Sequence, residues 1–167
     1  TLGTSPRDFL QVCHDIGVTH YILLTRRNTL RHVVSHYASR NRGAWHSSTA
    51  DSVKRQSFSL DLNNITTGSA PGRTLIEYMR EVDGMHGQIR RLLAKERFTE
   101  IVYETDINAE GAEVAYRKIC NFLEVEPVSV SVRNVKMNPF PLENTIDNYD
   151  EVVPALQGSE FEWMTRE

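Results

Sequence analysis

Residues 21–40, YILLTRRNTLRHVVSHYASR, decide the fold. Tyr21, Ile22, Leu23 and Leu24 form a short apolar run with the composition of a buried strand. The run stops at Thr25-Arg26-Arg27-Asn28, and Asn28 is of a type that caps helices. Beyond it Leu30, Val33, Val34 and Tyr37 recur at helical spacing, so an amphipathic helix follows the strand directly. A strand feeding straight into a helix predicts an α/β fold, a parallel sheet flanked by helices.

Charge sharpens this junction. From Ile16 to Ala50 there is no Asp or Glu, but there are five arginines and four histidines. The whole chain is acidic, at −3. A locally positive field at the carboxyl end of a strand is where open α/β sheets bind anionic ligands, so a phosphate or nucleotide is expected here. Ser35 lies eight residues after Arg27. At 1.5 Å per residue it sits roughly 10 Å into the helix, too far to share a ligand with the free N–H groups at the helix start. A long arginine lying back along the helix reaches it, which suits a phosphate gripped by a guanidinium fork and a hydroxyl.

The pattern Arg27-Asn28, then Val33-x-Ser35-x-Tyr37, resembles the 3′-phosphate-binding segment of sulfotransferases that use 3′-phosphoadenosine 5′-phosphosulfate (PAPS). Two further segments resemble that family in the same order. FTEIVYETDINAEGAEVAYRKICNFLEVEP is similar to its strand ending in Tyr-Glu-Asp and the helix closing on Phe-Leu-Gly. VKMNPFPLENTIDNYDEVVPAL is similar to the C-terminal segment of bacterial and carbohydrate-type members. The resemblance implies a P-loop-NTPase-like sulfotransferase fold, with Arg27 and Ser35 holding the 3′-phosphate and Tyr103 near the adenine. It implies PAPS as co-substrate without a metal, and a small-molecule or glycan hydroxyl as acceptor.

The departures define what the chain is expected to lack. Family members carry upstream a Ser/Gly-rich loop that cradles the 5′-phosphosulfate at a helix N-terminus. Only TLGTSPRDFLQVCHDIGVTH precedes the strand, and no G-x-x-x-x-G-K-[ST] occurs. The family's catalytic base also lies upstream, so the catalytic residue is left unassigned. Thr105 stands where Asp is usual, and Glu124 where Gly is usual. The expectation is the C-terminal portion of a sulfotransferase, one domain over residues 1–167, holding half of the cofactor site. Two other readings stay open: a non-catalytic adenosine-phosphate-binding module, and a kinase-like phosphoryl-transfer enzyme.

Composition narrows the classes. Hydrophobic residues at 40 % and charged residues at 25 % are ordinary for a soluble globular chain. Cys13 and Cys120 fit neither a metal spacing nor a disulfide framework. No run has the apolar length of a membrane span, and a cytoplasmic location is expected. From Glu143 to Glu167 seven acids meet one base, Arg166, which argues against nucleic-acid binding.

The remaining layout follows local signals. Ser5 and Pro6 open a short helix over 5–17, after which a strand covers 20–26 and a helix 29–40. Residues 41–73 are polar and long for a connection, and are expected to be a lid that orders with the acceptor. Trp45 and His46 within it are candidates to stack on a sugar. Thr74 and Glu77 form a capping box for a helix to about Lys95, striped with Leu75, Met79, Val82, Ile89 and Leu93. His86 in that stripe reads as a core histidine. A strand over 99–103, a helix over 110–123 and a last helix near 144–157 with Pro154 inside complete the order. Residues 128–132 alternate like a strand or an extended loop, and Lys136 is a candidate second phosphate contact.

Overall fold

A computed structural model of the chain describes residues 5–42, 54–66, 72–132 and 136–166. The architecture is mixed α/β, with a two-stranded parallel sheet and several helices. The chain divides into two compact units, Thr1–Arg27 with Asp83–Ser131, and Asn28–Val82 with Val132–Glu167.

The first unit holds the sheet. Helix α1, Pro6–Asp15, starts on a capping box in which the Asp8 N–H donates to the Ser5 hydroxyl at 3.2 Å and Ser5 Oγ donates to the Asp8 carboxylate at 2.7 Å. It ends at Gly17, whose φ of 81° lets the Val18 N–H reach back to the Cys13 carbonyl at 2.9 Å. Strands β1, His20–Thr25, and β2, Arg97–Val102, pair in parallel from His20↔Arg97 to Thr25↔Val102. Helix α4, Ala112–Leu123, follows β2. Tyr21 and Leu23 face Phe9 and Leu10 of α1 and Ile89 and Leu92 around a cavity of about 230 Å³. Leu24 and Ile101 face Ala115 and Ile119 of α4 around a second apolar cavity of about 270 Å³. Cys120 is buried, and both cysteines are free thiols.

The second unit is built on helix α2, Thr29–Arg42, which buries Leu30, Val33, Val34 and Ala38. Leu30, Val33 and Val34 are expected from the helical spacing; Ala38 is added, and Tyr37, also expected, is only partly buried against this core. Helix α3, Leu75–Leu93, contributes Leu75 and Met79 to the same core, while its residues from Asp83 onward belong to the first unit. Its capping box is formed as expected: the Thr74 N–H and hydroxyl donate to Glu77 at 2.9 and 2.8 Å. Those bonds hold the Glu77 carboxyl below the usual range.

Three expectations are corrected. The described part of the polar connection, residues 54–66, is core rather than lid: Phe58, Leu60 and Ile65 are buried. Phe58 exchanges backbone hydrogen bonds with Thr145 and Asp147, and Leu60 does so with the Asn148 amide. Those bonds engage the backbone before Tyr149, so the last helix shrinks to α5, Tyr149–Leu156, preceded by a 3-10 turn at Leu142–Asn144. The second strand starts two residues early, and Tyr103 falls outside it, at the start of a π-helical stretch, Tyr103–Ala109. Of the two readings of residues 128–132, the structure shows the loop, with its valines exposed. Trp45 and His46 lie outside the described residues.

Candidate functional site

Because β1 and β2 end in register at Thr25 and Val102, the residues that follow leave the sheet side by side. Arg26 lies over the Tyr103 ring, its guanidinium carbon 4.7 Å from the centroid. Arg26 Nε is 3.8 Å from Glu104 Oε1, and the Arg27 backbone N–H donates to Glu104 Oε2 at 2.9 Å. Burial pushes the Arg26 guanidinium below its ordinary value, opposed by the charges of Tyr103 and Glu104. The Arg27 side chain is exposed, and no residue among those described holds its guanidinium in an ion pair.

Two further carboxylates, Glu100 on β2 and Asp106 in the π-helical stretch, feel the charge of Arg27. Glu100 takes a forked contact from Arg90, Nη2 to Oε1 at 2.6 Å and Nε to Oε2 at 3.0 Å, and the Thr25 hydroxyl at 2.7 Å. Arg90 chiefly, then Thr25, and the more distant Arg27 hold its carboxyl below the usual range. Asp106 accepts the Val102 N–H at 2.6 Å and Lys118 Nζ at 3.2 Å. The Val102 N–H chiefly, with Lys118 and Arg27, keeps it low as well. The acid-free stretch of sequence thus meets Glu100, Glu104 and Asp106 in space, and the expected positive field is partly neutralised. The π-helical turn makes this possible, since it returns Asp106 to the Val102 N–H and Glu104 to the Arg27 N–H.

Of the residues singled out in the sequence, Arg27 and Tyr103 both belong to the first unit, one at the end of each strand. Ser35 is half-buried on α2 in the second unit. There Asn28 caps α2 as expected, accepting the Arg31 N–H at 2.9 Å, and its own amide donates to the Met164 carbonyl at 3.2 Å. Arg31 is committed to the backbone, its Nη1 donating to the Phe140 carbonyl at 2.6 Å. Lys136 is exposed. His86 is half-buried, and its pKa is lowered by burial first and by Arg90 second.

Arg26 is the residue that the sequence reading passed over. Its only local signal is that it stands beside Arg27, and its tyrosine partner comes from the π-helical stretch far along the chain. Chemically, the ends of the strands bring together an aromatic ring, the Arg26 guanidinium and the Arg27 backbone N–H, a combination suited to a planar, anionic ligand. Among the described residues no group of His, Cys, Asp or Glu could hold a metal ion, and no helix is long and apolar enough to cross a membrane. No family model, no curated protein and no solved structure matches the chain.

Proposed function

We propose that this chain carries the 3′-phosphate side of the cofactor site of a PAPS-dependent sulfotransferase with a P-loop-NTPase-like fold. In this reading the acceptor is a hydroxyl on a carbohydrate or glycolipid. The observation that carries the reading is the exposed Arg27 side chain just beyond the carboxyl ends of two paired parallel strands. Open α/β sheets bind their ligands at this end. The resemblance of residues 27–37 to the family's phosphate segment supports the same assignment.

PAPS, when bound, supplies the sulfuryl group that moves to the acceptor oxygen. The residues of this chain would act on the far side of that cofactor. Arg27 would grip the 3′-phosphate by a charge-assisted fork, and Tyr103 would lie against the adenine. The family resemblance alone assigns Ser35 a phosphate-donor role. None of the three touches the transferred sulfur, so they contribute affinity and discrimination.

The test compares adenosine 3′,5′-bisphosphate with adenosine 5′-phosphate by calorimetry. The bisphosphate should bind more tightly, and Arg27→Ala should erase most of the difference, about 1.5–3 kcal/mol for a lost charged contact. Equal affinity of the unaltered chain for both nucleotides would refute the assignment.

A further inference from the structure

The Glu104 carboxylate occupies the position of a ligand. One oxygen accepts the Arg27 N–H at 2.9 Å and the other faces Arg26 Nε at 3.8 Å. Arg26 in turn covers one face of Tyr103. Both side chains of the ion pair are mostly removed from solvent, at 26 % exposed for Arg26 and 19 % for Glu104. A backbone N–H bonded to one oxygen of a planar anion, with a guanidinium facing the other beyond hydrogen-bond distance, is a loose form of the arrangement by which proteins hold sulfate, phosphate and carboxylate groups. Here the anion is supplied by the chain.

We infer that Arg26 and the Arg27 N–H form an oxyanion site of their own, which Glu104 fills as an internal stand-in until a sulfate- or phosphate-bearing ligand displaces it. The inference rests on the nucleotide reading above and adds to it a residue, Arg26, and a competitor, Glu104. An incoming oxyanion takes over the Arg27 N–H and the attraction of the Arg26 guanidinium, and Glu104 swings out to water. Because the carboxylate and the ligand compete for the same groups, each weakens the other's hold. Like charges in so small a space cost more than the contacts either could add. The stack of Arg26 on Tyr103 extends the effect to the ring, since a guanidinium drawn toward a ligand oxygen alters the face that Tyr103 presents.

The decisive variant is Glu104→Gln, which keeps the shape and the neutral acceptor but removes the charge. Affinity for adenosine 3′,5′-bisphosphate should rise about three- to tenfold, while affinity for adenosine, which has no anion, should not change. In an Arg26→Ala background the same substitution should give a smaller gain. If Glu104→Gln proves unstable in thermal melting, Glu104→Asp, which withdraws the carboxylate by one methylene, should move affinity in the same direction. Equal bisphosphate affinity before and after the substitution overturns the inference and leaves the nucleotide reading standing. An equal gain for adenosine overturns it too, because Glu104 would then be obstructing the ring and not competing for an anion site. No bisphosphate binding by either protein at millimolar concentration overturns the nucleotide reading and the inference together.

Discussion

Thr25 donates its hydroxyl to Glu100 Oε1 at 2.7 Å across the parallel pair, and the same oxygen takes Arg90 Nη2 at 2.6 Å. Thr25 is the last residue of β1 and is 2 % exposed, so its hydroxyl has little water to turn to. Glu100 thereby ties the end of one strand to the neighbouring helix. Glu100→Gln should cost about 1 kcal/mol in chemical denaturation, since the ion pair is partly solvated and a neutral acceptor remains. Thr25→Val, which strands no charge, should cost no more than that. A larger loss for Thr25→Val would mean that the hydroxyl, not Arg90, orients the carboxylate.

Acid should weaken the fold in two stages. Burial lowers the pKa of His86 and of His36, with Arg90 and Arg40 adding to the effect. Each is therefore neutral in the fold over a range where the unfolded chain is protonated, so stability falls as pH drops below 6.5, the ordinary imidazole value. Glu77, Glu100 and Asp106 are held low, so their contribution is complete above the usual carboxylate range and is lost as pH falls through their lowered values. His86→Gln should flatten the first stage and leave the second unchanged when unfolding free energy is measured against pH. A first stage of unaltered slope would assign it to other groups.

Glu124 closes α4 in the left-handed region, at φ 58° and ψ 37°, and is ion-paired with Arg97. A residue with a Cβ pays roughly 1–2 kcal/mol there, whereas an exposed ion pair returns roughly 0–1 kcal/mol. After the extra freedom of glycine in the unfolded chain is subtracted, Glu124→Gly should stabilise the protein by about 0.5 kcal/mol. High salt, which screens the Arg97 contact only in the unaltered chain, should widen the gap. Destabilisation at every salt concentration would show the ion pair to outweigh the backbone.

Residues 54–66 should behave as core. Tyr37 stacks on Phe58 at 5.8 Å with the rings 16° apart, and its hydroxyl accepts the Thr66 N–H at 3.1 Å. Phe58→Ala should cost about 3 kcal/mol and Tyr37→Phe about 1 kcal/mol. Removing 54–66 should unfold the second unit, seen as lost near-ultraviolet circular dichroism. Retention of the native spectrum would restore the lid reading.

Signals that act within a few residues were legible in the chain. Ser5 with Pro6, Asn28, and Thr74 with Glu77 mark helix starts where the backbone places them. The spacing of Leu30, Val33 and Val34 marks the buried face of α2. What depends on distant pairing was not legible. Glu104 meets the Arg27 N–H from 77 residues away, and nothing near Arg27 announces it. Residues 54–66 were misread because their polar composition hid an alternation, Phe58, Leu60, Leu62, that single backbone bridges suffice to hold.

The π-helical stretch Tyr103–Ala109 has a consequence for how this chain can change. A wide turn of that kind holds one residue more than an α-helix would use, and deleting one residue from it restores ordinary pitch. The side chains within the shortened turn then rotate relative to the strand that precedes them. Glu104 and Asp106 could not both keep the N–H groups of Arg27 and Val102 through such a rotation. A single lost codon between 103 and 109 would therefore redistribute the charges around two arginines with no substitution among them. The length of this turn, as much as its composition, sets the charge that a ligand meets.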